Sequence, residues 1–182
     1  MLTPPFHFTI VSSSAPSTDT LYRGSLPCRR NLTFLRRLRL KTVVCLRKKP
    51  LKDEDEFLRW TMKRGIHVRW IKAESMGEEN LGMGRTEVGE VLKIILDPSS
   101  YPLYIADKDG ISHTTLVVAC LRKLQGWNTE SILNEICRYE PDHDDFPFLS
   151  FLTGYLATAD STLALPPPPY PTWLWPTFTT PP

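Results

Sequence analysis

The chain has 182 residues, with 22 Lys+Arg against 20 Asp+Glu, 41% hydrophobic and 23% charged residues. An apolar fraction near the globular norm and a net charge of only +2 exclude a wholly disordered chain, and the length suits one core-forming domain. Cys28, Cys45, Cys120 and Cys137 form no CxxC pair, so neither a disulfide framework nor a zinc ribbon is expected, and a reducing, cytoplasmic setting suits them.

In chain order, residues 8–11 and 21–23 read as short strands and 32–40 as an amphipathic helix capped by Asn31. Residues 42–46 form a buried strand and 53–63 a helix closed by Gly65. The strand 67–71 alternates, and its Trp70, like Trp60 before it, is expected in or near the core. A Gly-rich loop, 74–84, precedes the helix 86–96, whose Val88, Val91, Leu92 and Ile95 share one face. The strand 101–106 runs through Asp107-Lys108-Asp109-Gly110 into the apolar helix 114–124, and 129–138 and 146–159 complete the helices. The apolar run at 116–121 is far short of the roughly 20 residues that span a bilayer, so no membrane segment is expected. This alternation predicts an α/β fold, a central mainly parallel sheet flanked by helices. Ligands in such folds sit where strands run into helices, which singles out 106–113.

Eight of the 17 prolines lie in 161–182. The domain is therefore expected to occupy 1–160, with 161–182 a flexible proline-rich tail off the core. Pro167-Pro168-Pro169-Tyr170 has the Pro-Pro-x-Tyr form taken by WW domains, which makes Tyr170 a candidate partner contact. Trp173, Trp175 and Phe178 add an apolar stretch with two fates open: folding back on the domain or meeting a partner.

Charge is unevenly spread. Residues 23–52 hold 11 Lys+Arg and no acid, so 1–52 carry +10 and 53–182 carry −8. Such a dipole steers polyanions to one face, with Arg36, Arg37 and Lys48 as candidate contacts. The stretch lacks interleaved aromatics, so nucleic acid is not the expected partner. The competing structural reading is a solvated helix face, since Arg36, Arg37 and Arg39 sit among Leu35, Leu38 and Leu40.

Several blocks share an order and spacing with a known family: Pro4-Pro5-Phe6-His7-Phe8, Leu21-Tyr22-Arg23-Gly24-Ser25-Leu26-Pro27, residues 34–43, and Cys120-Leu121-Arg122-Lys123-Leu124-Gln125-Gly126-Trp127. Over roughly residues 4–156 the chain resembles the plant and fungal atypical dual-specificity phosphatases, including the tyrosine-phosphatase-like proteins of the oxidant-induced cell-cycle arrest group. The resemblance implies a tyrosine-phosphatase-like fold and a signature His-Cys-x-x-Gly-x-x-Arg-Thr-Gly, whose thiolate attacks phosphorus while loop amides and the arginine hold the phosphoryl oxygens. Laid on this chain, the histidine position is Ala106, the cysteine Asp107, the arginine His113 and the last glycine Thr115, while Gly110 and Thr114 match. No catalytic residue, metal site or cofactor is therefore expected. Lys108, Gly110, Ser112, His113 and Thr114 remain as candidate ligand contacts. Asp107 and Asp109 would face a phosphate dianion, at about 4 kcal/mol of repulsion per charge pair at ~4 Å and an effective dielectric near 20.

The resemblance implies a catalytically inactive binding or scaffold protein, with an inositol-phosphate-like polyanion or a related phosphatase-like subunit as partner. The alternative is an active phosphatase on inositol pyrophosphates or phosphoproteins. A further enzyme reading takes Asp107-Lys108-Asp109-Gly110 as similar to the magnesium-binding loop of haloacid-dehalogenase-type phosphatases, with Asp107 as nucleophile, Asp109 as acid/base and Asp144-Asp145 as a second metal pair. Against it, that motif normally opens its domain. Carboxylates in the loop 74–80 occupy the place of a proton-transfer loop but also suit plain solvation, and His67 and His143 have no ligand spacing for zinc.

Overall fold

The structure is a computed structural model that describes residues 2–14, 18–77, 80–139, 148–154 and 165–175. Asp107-Lys108-Asp109-Gly110 owes its position to β5 (Leu103–Asp107), five residues that are all buried. Such a strand must be covered on both faces and bonded on both edges. It lies between β2 (Leu21–Ser25) and β3 (Thr42–Arg47), both parallel to it. Outside these, β4 (His67–Lys72) pairs parallel with β3 and β1 (Thr9–Ser12) antiparallel with β2, giving the order β1-β2-β5-β3-β4. The expected mainly parallel sheet is present.

Successive strand residues point to opposite faces, and the core divides accordingly. Leu21, Val44, Leu46, Leu103 and Ile105 pack under α3 (Arg85–Leu96), α4 (Ser112–Leu124) and α5 (Thr129–Ile136). Val43, Cys45, Tyr104 and Ala106 face Leu35 of α1 (Leu32–Leu35) and Phe57 of α2 (Glu56–Met62). The four apolar residues expected on one face of α3 are all buried. Asp55 starts α2 by accepting the amides of Phe57 at 2.9 Å and Leu58 at 3.3 Å, and Gly65 at φ 64° follows its end. A short α6 (Phe148–Gly154) closes the described helices; no helix of the described residues is long and apolar enough to cross a membrane.

Three expectations are corrected. The helix expected over 32–40 stops at Leu35 and continues as a 3-10 turn, Arg36–Leu38, before Arg39 at φ 51°. Asn31 stands at the start of α1 as expected, but its side chain makes no capping bond to that helix. Its Oδ1 accepts the Cys28 amide at 2.9 Å and its Nδ2 donates to the carbonyls of Thr3 and Pro4, so it pins the N-terminal segment. Trp60 does reach the smaller core, but Trp70 is 41% exposed because β4 is the edge strand, and its indole merely donates to the Arg47 carbonyl at 2.9 Å.

Of the two fates left open for the C-terminal aromatics, folding back is observed for the described ones: Trp173 and Leu174 are buried in the main core and Trp175 packs against it, so that core draws on residues beyond 160, while Phe178 lies outside the described residues.

Tyr104 stitches two strand ends together: its buried hydroxyl donates to the Ser25 carbonyl at 2.6 Å. Tyr104→Phe leaves that carbonyl without its donor. Urea denaturation should show a loss of about 1–3 kcal/mol, the range for an orphaned buried group, with an unchanged m-value.

Candidate functional site

Asp107 ends β5 opposite Ser25 of β2, and its carbonyl accepts the Leu26 amide at 2.6 Å. The chain then turns through Lys108, Asp109 and Gly110 into α4. Gly110 sits at φ 82°, where an added Cβ would collide with the Gly24–Ser25 backbone, so this turn needs glycine.

Asp107 is turned away from the cleft, whereas Asp109 is exposed at its floor but bends both oxygens back onto the loop. Asp107 is 1% exposed; its Oδ1 accepts the Gly110 amide and its Oδ2 the Thr114 amide at 2.8 Å. Asp109 accepts the amides of Ile111 at 2.8 Å and Ser112 at 3.1 Å, and its Oδ2 takes the Ser112 hydroxyl. Four amides of the loop and of the start of α4 are thereby satisfied within the chain. The physical reason at Gly110 and Thr114 is that buried N–H groups demand acceptors, which Asp107 supplies, while Asp109 makes the local side-chain-to-backbone bonds favoured by a short acidic residue in an exposed turn. Desolvation raises the Asp107 pKa above the ordinary carboxylate value, opposed by the two amide bonds, whereas hydrogen bonding holds Asp109 below it despite partial burial.

Arg23 supports the loop from below, a role that counting it with the surface cations misses. It is 1% exposed, and its Nη2 lies 3.1 Å from the carbonyls of both Gly110 and Ile111, 2.9 Å from Thr114 Oγ1 and 2.6 Å from Thr115 Oγ1. Its guanidinium stacks 3.9 Å above the Tyr139 ring. Burial lowers its pKa, chiefly through desolvation. The available signal is the strand itself, which puts Arg23 on the same face as the apolar Leu21.

Above the loop opens a cleft of about 530 Å³ whose lining includes Arg47, Lys48, Lys49, Lys108, Ser112 and His113. Its far wall is the segment after β4. Glu74 pairs with Lys48 at 2.9 Å and Lys72 at 3.3 Å, bonds that lower its pKa. The Glu74 carbonyl meets Nε2 of His113 at 2.8 Å. Gly82, at φ 68°, lets the returning chain pass that carbonyl.

The candidate contacts therefore separate. Lys48, Lys108, Ser112 and His113 share the cleft. Gly110 and Thr114 are buried with their amides already bonded, and Arg36 and Arg37 are exposed but do not line it. The 23–52 run is not one surface. Asp107, buried with both oxygens engaged, is also unsuited to the nucleophile role of the haloacid-dehalogenase-type reading, and no group of metal-ligating side chains occurs among the described residues. Asp144, Asp145 and His143 lie outside the described residues. None of the four cysteines lines the cleft; Cys45 is buried in the opposite face of the sheet with its pKa pushed up to about 12, and burial raises Cys120 further.

A model of the tyrosine phosphatase family matches residues 2–163. Among curated proteins, inositol diphosphatase DSP1 of Oryza sativa subsp. japonica is 34% identical over 76% of this chain and 59% of its own length, and the putative tyrosine-protein phosphatase OCA6 of Saccharomyces cerevisiae 32% over 76% and 64%. The chain thus spans about three-fifths of the length of these relatives. Among solved structures, the core catalytic domain of the PP-IP phosphatase SIW14 from S. cerevisiae in complex with citrate superposes with a TM-score of 0.70 at 25% identity, covering 85% of this chain and 88% of that one.

The raised Asp107 pKa fixes a sign. A carboxyl whose folded pKa exceeds its unfolded value of about 3.9 stabilises the fold most when protonated, and that contribution is lost as pH rises through the folded value. The stability of the wild type relative to Asp107→Asn should therefore increase as pH falls from neutrality towards 4. Paired urea titrations across that window check it.

Proposed function

Because the chain belongs to the tyrosine phosphatase family, we propose that it uses this fold as an anion-binding module without thiol-based turnover, its ligand an inositol-phosphate-like polyanion held in the cleft above the β5–α4 loop. The observation that carries this reading is the loop itself. It contains no cysteine and no arginine, and the four amides at Gly110, Ile111, Ser112 and Thr114 are bonded to Asp107 and Asp109. A phosphoryl group entering there would have to displace two carboxylates. Higher in the cleft, Arg47, Lys48, Lys49 and Lys108 offer cations that such a ligand can reach. That charge favours a small polyanion over a phosphatase-like subunit as the partner. Four scattered cysteines with no CxxC pair suit the cytoplasm as its compartment.

The names of the relatives favour a second reading, an active phosphatase on an inositol diphosphate or a phosphoprotein. Such activity would need a nucleophile other than a loop thiolate.

Two measurements separate the readings. Purified protein should release no phosphate, in a vanadate-sensitive manner, from an aryl phosphate or an inositol pyrophosphate; such turnover would establish the second reading. Calorimetry at low salt should detect binding of inositol hexakisphosphate that weakens with added salt and with Lys48→Glu. Glu74→Gln, which frees Lys48 and Lys72, should tighten it severalfold, and a ligand insensitive to both substitutions would place binding outside this cleft.

A further inference from the structure

The proline-rich segment is seated on the domain by its second half only. Trp173 meets the Tyr101 ring edge-on, with centroids 6.1 Å apart, and the Leu174 carbonyl accepts from Gln125 Nε2 at 3.3 Å. Pro167, Pro168 and Pro169 are exposed. Tyr170 lies between the halves. It is half-buried, its hydroxyl donates to the Pro166 carbonyl at 2.7 Å, and its ring stands edge-on to Trp175 at 5.3 Å.

The seat is imperfect. The indole N–H groups of Trp173 and Trp175 are buried with no hydrogen-bond partner among the described residues. A cleft of about 650 Å³ lined by Ser12, Arg122, Trp127 and the two tryptophans lies alongside. Buried donors without acceptors work against the docked arrangement, whereas release would give them to water.

We propose that residues 166–175 are a releasable ligand for a partner domain with an aromatic groove of the WW type, and that docking on the parent domain masks it. The exposed prolines present half of the Pro-Pro-x-Tyr form at all times. The other half, the Tyr170 ring, is half-buried and packs with Trp175 against the main core, so it cannot enter a partner's groove while the segment is seated there. Docking and partner binding therefore exclude each other through one side chain. The apparent affinity of the full chain is the affinity of the free segment reduced by the fraction of molecules in which it is undocked.

The test titrates the full-length chain with an isolated WW domain that takes Pro-Pro-x-Tyr ligands, by calorimetry, with a synthetic peptide of residues 165–175 as reference. The peptide should bind, and the full chain should bind about tenfold more weakly or worse. Trp175→Ala should bring the full chain towards the peptide's affinity, and Tyr170→Ala should abolish binding. Gln125→Ala, which loosens the seat from the domain side and leaves the motif intact, should act like Trp175→Ala and covers the case in which that variant unfolds on a thermal melt. A peptide that fails to bind overturns the assignment of the partner. A full chain that binds as tightly as the peptide, or one whose affinity neither substitution raises, overturns the masking.

Discussion

A buried amide must find an acceptor, and where β5 turns into α4 the acceptors are the loop's own side chains. Asp107 reaches forward to Gly110 and Thr114, and Asp109 takes the next two amides. Arg23, from the neighbouring strand, collects the carbonyls and hydroxyls of the same turn. Together they fix β2, β5 and α4 to one another, and the cleft above inherits its floor from that arrangement. Amide groups that could grip a ligand are spent on holding the loop, so the cleft's attraction for anions rests on long side chains at its rim.

Much of the architecture was legible because hydrophobic periodicity reports burial directly. The apolar face of α3, the buried β3 and the strand-to-helix alternation stand where the sequence places them. Misreadings arose where a residue's type does not state its direction. Arg23 was counted with the exposed cations, although a strand position two residues from Leu21 turns it inward beneath the loop. Asp107 and Asp109 are read from the sequence as anions facing a bound phosphate, because composition carries charge and not hydrogen-bond geometry. Trp70 is expected in or near the core, yet its strand has a neighbour on one side only. Proline content concealed Trp173 and Leu174, since a segment unable to form a helix can still bury two side chains.

Charge is managed locally throughout the cleft. Glu74 lies between Lys48 and Lys72, and Asp109 sits at the start of α4, where the helix dipole favours an anion. The basic run 23–52 likewise serves several ends: Arg23 is structural, Arg36 and Arg37 are solvated beyond the cleft, and Arg47, Lys48 and Lys49 line it.

The bonds of Asp107 also constrain which neighbouring sequences the fold can reach. Placing a thiol at that position by a single substitution would remove a carboxylate with two amides depending on it, at about 1–3 kcal/mol for each donor left buried and unpaired. It would still lack an arginine at the His113 position, where the imidazole is engaged with the Glu74 carbonyl. Changing His113 first breaks that latch while Asp107 keeps the loop closed to phosphate. Neither order of steps confers thiol chemistry before both are complete, so the two positions are epistatically coupled and the loop behaves as a ratchet in sequence space.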